Sequence, residues 1–428
     1  MPIAAVPAYL GNEFKDASPG MRFGMYLKLW GVNRRTQALL WQTHDIAYEV
    51  RGQQQQEREV KYENKVSALA DSTKLTPRDK AVMQGLASRQ SALAATVAAD
   101  QLLRLDALAT APFTTGLGNE HPLENGFAFL NPYGLPYLPG SGVKGVLRQA
   151  ARELAKGEWG KKRGWDEALD YEITIDRKPV RLSMLDVLFG RESADGDTEH
   201  VRGALTFWDV LPQIKGDSLM VEIMTPHQSH YYQQKRDRRA GDSTSPHDSG
   251  QPNPISYLTV PPGSGFAFHV VCDSAHLTRL APALLDDDNG KPRWQTLMTT
   301  AFEHAFQWLG FGAKTAVGYG AMESEAMRQT RAQEAERQRE ARKEDDHREK
   351  ALRQQAEAVP WPGARLNFNR ANQALTAEKD GKSASAIAPK GVELLASLPV
   401  EIRRKVETNQ YVKATAYVAG TTLVRVEP

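Results

Sequence analysis

Folding of this chain is constrained first by one ten-residue stretch, Pro139-Gly140-Ser141-Gly142-Val143-Lys144-Gly145-Val146-Leu147-Arg148. A short apolar run ending at Leu138 meets a glycine turn. A helix then opens near Gly142 and carries Val146, Leu147, Ala150, Ala151 and Leu154 at helical spacing. The first turn of a helix leaves backbone N–H groups without partners, and the dipole makes that end positive. Ser141 adds a hydroxyl donor. Lys144 lies in the first turn, and Arg148 follows one turn later on the same side. Two cations at a positive helix end are locally unfavourable, and an external phosphate relieves that cost. The plainer reading is a strand-to-helix turn with a solvated Lys and Arg. Gly140, Gly142 and Gly145 also satisfy the G-x-G-x-x-G dinucleotide pattern. That pattern needs a second parallel strand ending in an acid about 20 residues on. Here the chain runs into the polar stretch Gly157–Gly164 instead, so no nicotinamide or flavin cofactor is expected.

Around this turn the chain reads as alternating segments. Residues 1–50 are apolar and aromatic and are expected to pack on the main body. Residues 51–102 read as a helical insertion, a solvated arm. Within it Thr76-Pro77-Arg78-Asp79 supplies an N-cap, a first-position proline and a first-turn acid. At Leu103 the period changes to two: Leu103, Leu105, Ala107 and Ala109 alternate with Arg104, Asp106 and Leu108, the mark of a strand. Further strands are expected at 127–130, 204–210, 219–224 and 266–271, and a helix at 294–309. The polar stretch 233–254 reads as a loop. Residues 103–325 form the core in this reading, and 326–359 a charged helical linker. Pro360-Trp361-Pro362-Gly363 marks a boundary before a small α+β unit, 360–428. There Asp380-Gly381 signals a hairpin, 392–407 a helix and Val412–Val418 a late strand. Strands and helices joined by connections of mixed length favour an α+β class over a doubly wound sheet.

Two further segments could touch a ligand. Gly310-Phe311-Gly312-Ala313-Lys314-Thr315-Ala316-Val317-Gly318-Tyr319-Gly320 lets backbone approach closely and carries a cation. It is not a phosphate-binding P-loop, because Ala313 replaces the glycine required before Lys-Thr. Met224-Thr225-Pro226-His227-Gln228-Ser229-His230-Tyr231-Tyr232 ends a strand with groups that stack on or bond to bases. His227 or His121 could also serve as a general base. No metal site is expected, because His227 and His230 have no further ligands in the sequence.

Composition narrows the remaining options. The 428 residues carry 54 Lys and Arg against 52 Asp and Glu, so bulk charge argues for neither nucleic acid nor membrane. The single cysteine, Cys272, excludes a disulfide framework, an iron–sulfur cluster and a cysteine zinc site. No apolar stretch reaches the length of a membrane span, and Met1–Leu10 lacks a signal-peptide pattern. A cytoplasmic protein without membrane contact is expected.

Taken together, these segments resemble the RAMP superfamily of CRISPR proteins, and within it the RAMP subunits of type III-B (Cmr) effectors. The resemblance is carried by the Pro-Gly-Ser-x-x-Lys-Gly-x-Leu-Arg turn, the Gly310–Gly320 loop, Thr115–Glu120, Leu123–Gly126, Tyr133–Ser141, Phe207-Trp208-Asp209 and Met224–His227. It covers about 103–322 and extends to the first 30 residues, with residues 360–428 outside it. It implies a ferredoxin-like core, an RRM-type antiparallel sheet with helices on one face. It implies a non-catalytic, RNA-binding structural subunit for antiviral defence, capping the filament at the 3′ part of the guide RNA (crRNA). Target RNA, a backbone RAMP, a small helical subunit and another end-capping RAMP would be its partners. Carried over, Gly140, Ser141, Gly142, Lys144, Gly145 and Arg148 would meet guide phosphates. Gly312, Lys314, Gly318 and Gly320 would form a second wall, and His227 and Tyr231 peripheral contacts. Gly142 stands where many RAMPs carry Ser or Ala, which loosens the turn and removes a hydroxyl. The alternative within the superfamily is a metal-independent endoribonuclease that processes guide precursors.

Overall fold

In a computed structural model, residues 3–33, 35–51, 56–157, 159, 164–165, 170–175, 177–191, 200–226, 254–288 and 290–428 are described. The chain mixes helices and sheets in two units, Met1–Arg328 and Gln329–Pro428.

Six elements frame the first unit: β1 (Leu102–Ala109), α1 (Gly140–Lys156), β2 (Leu205–Phe207), β3 (Gly265–Cys272), α2 (Arg293–His304) and β4 (Met322–Ser324). The strands form one sheet in the order β2-β3-β1-β4, and every neighbouring pair is antiparallel. The period-two pattern sets which face is buried. Leu103, Ala107 and Ala109 of β1 turn inward with Phe266, Phe268, Val270 and Cys272 of β3. Arg104 and Asp106 turn outward and are exposed.

Helix α1 covers the inner face with Val143, Leu147, Ala150, Ala151 and Leu154, and α2 with Trp294, Leu297, Met298, Ala301 and Phe302. The Phe268 ring lies 5.2 Å from Phe302, 5.4 Å from Phe306 and 5.0 Å from Phe311. The helix expected to reach Leu309 is α-helical only to His304. A wider π turn, Ala305–Leu309, follows and stops at Gly310, whose φ of 70° disfavours any other residue.

The 51–102 region differs from a solvated helical arm. Strands His44–Arg51 and Gln56–Glu63 pair as a hairpin, and the second of them stands where helix was expected. Helix Pro77–Ala94 does form, with Thr76 and Asp79 closing a reciprocal cap. It is not free in solvent. Its Ala87, Gln90 and Ser91 line a hollow of about 250 Å³ with Arg104, Asp106 and His269 of the sheet's outer face. The Gln90 side chain donates to the Asp209 carbonyl at 2.7 Å. Amide groups that bond across the gap tie the helix down although its apolar stripe is thin.

In the second unit, the first strand begins at Val359, so Pro360–Gly363, expected to mark a boundary, lies inside that strand. These residues belong to strand Val359–Asn369, whose pairing shifts between Trp361 and Ala364. Proline cannot donate to a ladder and is tolerated at such a bulge. Asp380 and Gly381 turn the next hairpin with φ of 51° and 75°. The helix expected over 392–407 is two, Lys390–Ala396 and Val400–Glu407, broken ahead of Pro399.

Among the described residues no helix is long and apolar enough to cross a membrane. Cys272 is 2% exposed, and burial, aided by the Asp273 and Asp100 carboxylates, pushes its thiol up to about 12. Thiolate is the reactive form. Iodoacetamide at pH 8 should therefore leave the native chain unlabelled and modify it fully in denaturant, as mass spectrometry would read.

Candidate nucleic-acid interface

The glycine turn that opens α1 faces a segment the sequence did not connect with it. Gly140, Ser141, Lys144, Gly145 and Arg148 line a cleft of about 530 Å³ together with Arg191, Arg202 and the backbone of Gly190 and Gly203. Phe189, Leu205, Thr206 and Phe207 complete its walls. Four cations converge there. No carboxylate and no histidine is among its described lining residues.

Two close approaches build this cleft. A Cβ on Gly140 would lie 2.1 Å from the Phe207 carbonyl oxygen, so the helix start rests directly on the end of β2. A Cβ on Gly203 would lie 2.5 Å from the Gly190 nitrogen, so the two arginine-bearing segments also meet backbone to backbone. Gly145 differs, with nothing within 4 Å of its would-be Cβ. It leaves open space at the helix surface between Lys144 and Arg148. Lys144 and Arg148 are half-buried, while Ser141 and Arg202 are exposed.

The helix end itself is already partly satisfied. The Gly140 N–H donates to the Asp209 carboxylate at 2.7 Å, and the Gly142 and Val143 N–H groups turn back on the Pro139 carbonyl. An anion arriving here meets side-chain cations more than free amides. The attraction of the site is therefore chiefly Coulombic.

The Gly310–Gly320 loop is not a second wall of this cleft, because its residues are absent from the lining. It is fastened to the chain beyond β1. Ala313 N–H donates to the Thr114 carbonyl and Gly320 N–H to that of Pro112. Cβ atoms on Gly312 and Gly320 would lie 2.2 Å from the Thr114 oxygen and 1.9 Å from the Phe311 oxygen, so both glycines serve internal packing. The Lys314 ammonium sits 5.2 Å over the Tyr257 ring and 3.2 Å from the Met224 sulfur. Gly318 alone is open, with φ of 92°. His227, Tyr231 and most of the 233–254 loop lie outside the described residues.

His121 is a structural residue. Its Nε2 donates to the Phe23 carbonyl at 2.8 Å and its Nδ1 accepts from the Leu123 N–H at 3.1 Å. The ring stacks on Phe23 at 3.7 Å. Burial lowers its pKa, partly offset by the Phe23 bond, which keeps the imidazole neutral with both nitrogens committed. Among the described residues no group of three His, Cys, Asp or Glu could hold a metal ion.

Arg191 and Arg202 were missed from sequence because they are remote from α1 along the chain. Their one local signal is a glycine beside each, Gly190-Arg191 and Arg202-Gly203.

The RAMP superfamily model matches residues 107–323, half of the chain and both sides of the cleft. The chain belongs to the RAMP superfamily. Within it, the chain is similar to the CRISPR system Cmr subunit Cmr6 of Pyrococcus furiosus, 29% identical over 238 residues that make up 48% of this chain and 63% of that protein. The chain thus spans about 63% of that relative's length. Two solved structures are also similar. One is the type III-B Cmr-beta complex bound to cognate target RNA, with 17% identity, a TM-score of 0.35, and coverage of 61% of this chain and 70% of that one. The other is the crystal structure of Cmr6 from Pyrococcus furiosus, with 26% identity, a TM-score of 0.26, and coverage of 52% and 97%.

The two glycines of α1 should behave oppositely. Gly140→Ala drives a methyl into the Phe207 carbonyl and should cost about 1–3 kcal/mol. Gly145→Ala meets open space and should stabilise the helix by up to about 1 kcal/mol. Denaturant unfolding of the two variants checks both signs.

Proposed function

We propose that this chain is a non-catalytic, RNA-binding structural subunit of a type III-B effector complex, and that the cleft of Lys144, Arg148, Arg191 and Arg202 grips the guide-RNA backbone. The observation that carries this reading is the convergence of four cations on one cleft in a chain whose net charge is only +2. Backbone recognition needs charge and close approach and carries no sequence information. Gly140, Ser141 and Gly145 supply the close approach on one wall, and Gly190 and Gly203 on the other, while Gly142 faces the Leu138 side chain and is not part of the lining.

The core is ferredoxin-like in this reading. Its support is the β-α-β-β-α-β succession and the antiparallel order β2-β3-β1-β4. Similarity to Cmr6 supports a place at the end of the filament that holds the 3′ part of the guide RNA. There the chain would contact a backbone RAMP, a small helical subunit and a second end-capping RAMP, close to target RNA, in the cytoplasm. We assign Lys314 and Gly318 to a separate surface, whose loop Gly312 and Gly320 shape from within, and His227 and Tyr231 to peripheral contacts. The committed nitrogens of His121 weigh against the alternative, a guide-processing nuclease.

Fluorescence polarisation with end-labelled repeat–spacer RNA in EDTA tests the assignment. Lys144→Ala and Arg148→Ala should each weaken binding and lower the salt slope by roughly 0.7. An unchanged slope in both variants removes these residues from the interface. A discrete cut in the same RNA, read on a denaturing gel, would replace the structural subunit with a nuclease.

A further inference from the structure

The second unit carries a fold and a surface that the cleft reading does not use. Its five strands are, in order, Val359–Asn369, Ala374–Lys379, Lys382–Ala386, Lys413–Ala419 and Thr422–Glu427. They close into a barrel in the order first, second, third, fifth, fourth and back to the first. The third and fifth strands meet in parallel at Ser385 and Thr422, and both short helices lie between the third and fourth strands. This connectivity is that of the oligonucleotide/oligosaccharide-binding barrel. Its interior is complete by itself, filled by Leu366, Leu375, Leu394, Val406, Val418 and Leu423 among others.

The outside is basic and aromatic at one place. Residues 359–428 hold ten Lys and Arg against six Asp and Glu, a net charge of +4, whereas the whole chain is only +2. On the first strand, Arg365 and Asn367 point outward between the buried Ala364, Leu366 and the half-buried Phe368. Arg365 pairs across to Lys413 of the fourth strand. Just before that strand, Tyr411 is 63% exposed, with the Arg365 guanidinium 5.4 Å and the Lys413 ammonium 5.9 Å from its ring centre. Neither cation has an ion-pair partner among the described residues, although Glu378 is the ladder partner of Arg365 on the second strand. An exposed ring beside two unneutralised cations suits a base that stacks and phosphates that meet charge.

We infer that the barrel of residues 359–428 is a second binding site, for single-stranded nucleic acid, in which Tyr411 stacks a base while Arg365 and Lys413 hold the adjacent phosphates. The site shares no residue with the cleft of α1, and its assignment does not depend on that cleft.

The test uses the full chain with the cleft disabled by Lys144→Ala and Arg148→Ala, and a fluorescein-labelled 15-mer of uridine as the probe. In that background Tyr411→Ala should weaken binding about fivefold or more, and Tyr411→Phe should retain it. Arg365→Gln with Lys413→Gln should lower the salt slope by roughly 1.4. All three side chains lie on the surface, and thermal melts of each variant confirm that the barrel stays folded. A 15-base-pair duplex should compete poorly. Unchanged binding in Tyr411→Ala would overturn the inference, as would equal competition by the duplex or displacement of the probe by a neutral oligosaccharide. Any of these failures leaves the cleft assignment standing, since that is read from Lys144→Ala and Arg148→Ala in the otherwise unaltered chain.

Discussion

The contact between the Gly140 backbone and the Phe207 carbonyl sets the geometry of the first unit. It seats the start of α1 on the end of β2 with no side chain between them. From that seat, helical periodicity turns Val143, Leu147 and Leu154 into the core and leaves Lys144 and Arg148 on the outer side. The chain just ahead of β2 carries Arg202 and Gly203, and Gly203 rests on Gly190, which holds Arg191 beside it. Two backbone-to-backbone approaches thus bring cations from three separated stretches of chain around one cleft.

The same seat explains why the cleft works through side chains. Asp209, two residues beyond Phe207, reaches the first helical N–H at 2.7 Å and takes part of the role that a bound anion would have. A carboxylate at a helix N-terminus is favourable in its own right. The cleft's positive character then comes from the side chains of Lys144, Arg148, Arg191 and Arg202 that line it.

Local pattern made much of the core legible. The alternation from Leu103, the proline-led cap at Thr76 and the glycine turn at 139–145 each rest on near neighbours, and each has its counterpart in the structure. What lay hidden depends on partners remote along the chain. Arg191 and Arg202 join the cleft only because β2 returns to α1. Strand Gln56–Glu63, paired with His44–Arg51, stands where a helix was expected because its charged, mixed composition fits either period. The glycines of 310–320 read as an open cradle, yet Gly312 and Gly320 are spent on the Thr114 and Phe311 carbonyls. The bulge at Pro360–Gly363 imitated a domain boundary, since proline and glycine mark both. For the barrel, strand order was the missing information, and no local signal encodes it.

Crosslinking tests the central claim most directly. The intact chain, bound to repeat–spacer RNA carrying 4-thiouridine, would be irradiated, digested and mapped by mass spectrometry. The account predicts RNA adducts on peptides holding residues 140–148 and on peptides holding 200–207, the two walls of one cleft. Saturating RNA binding with adducts elsewhere and none on either wall would contradict it.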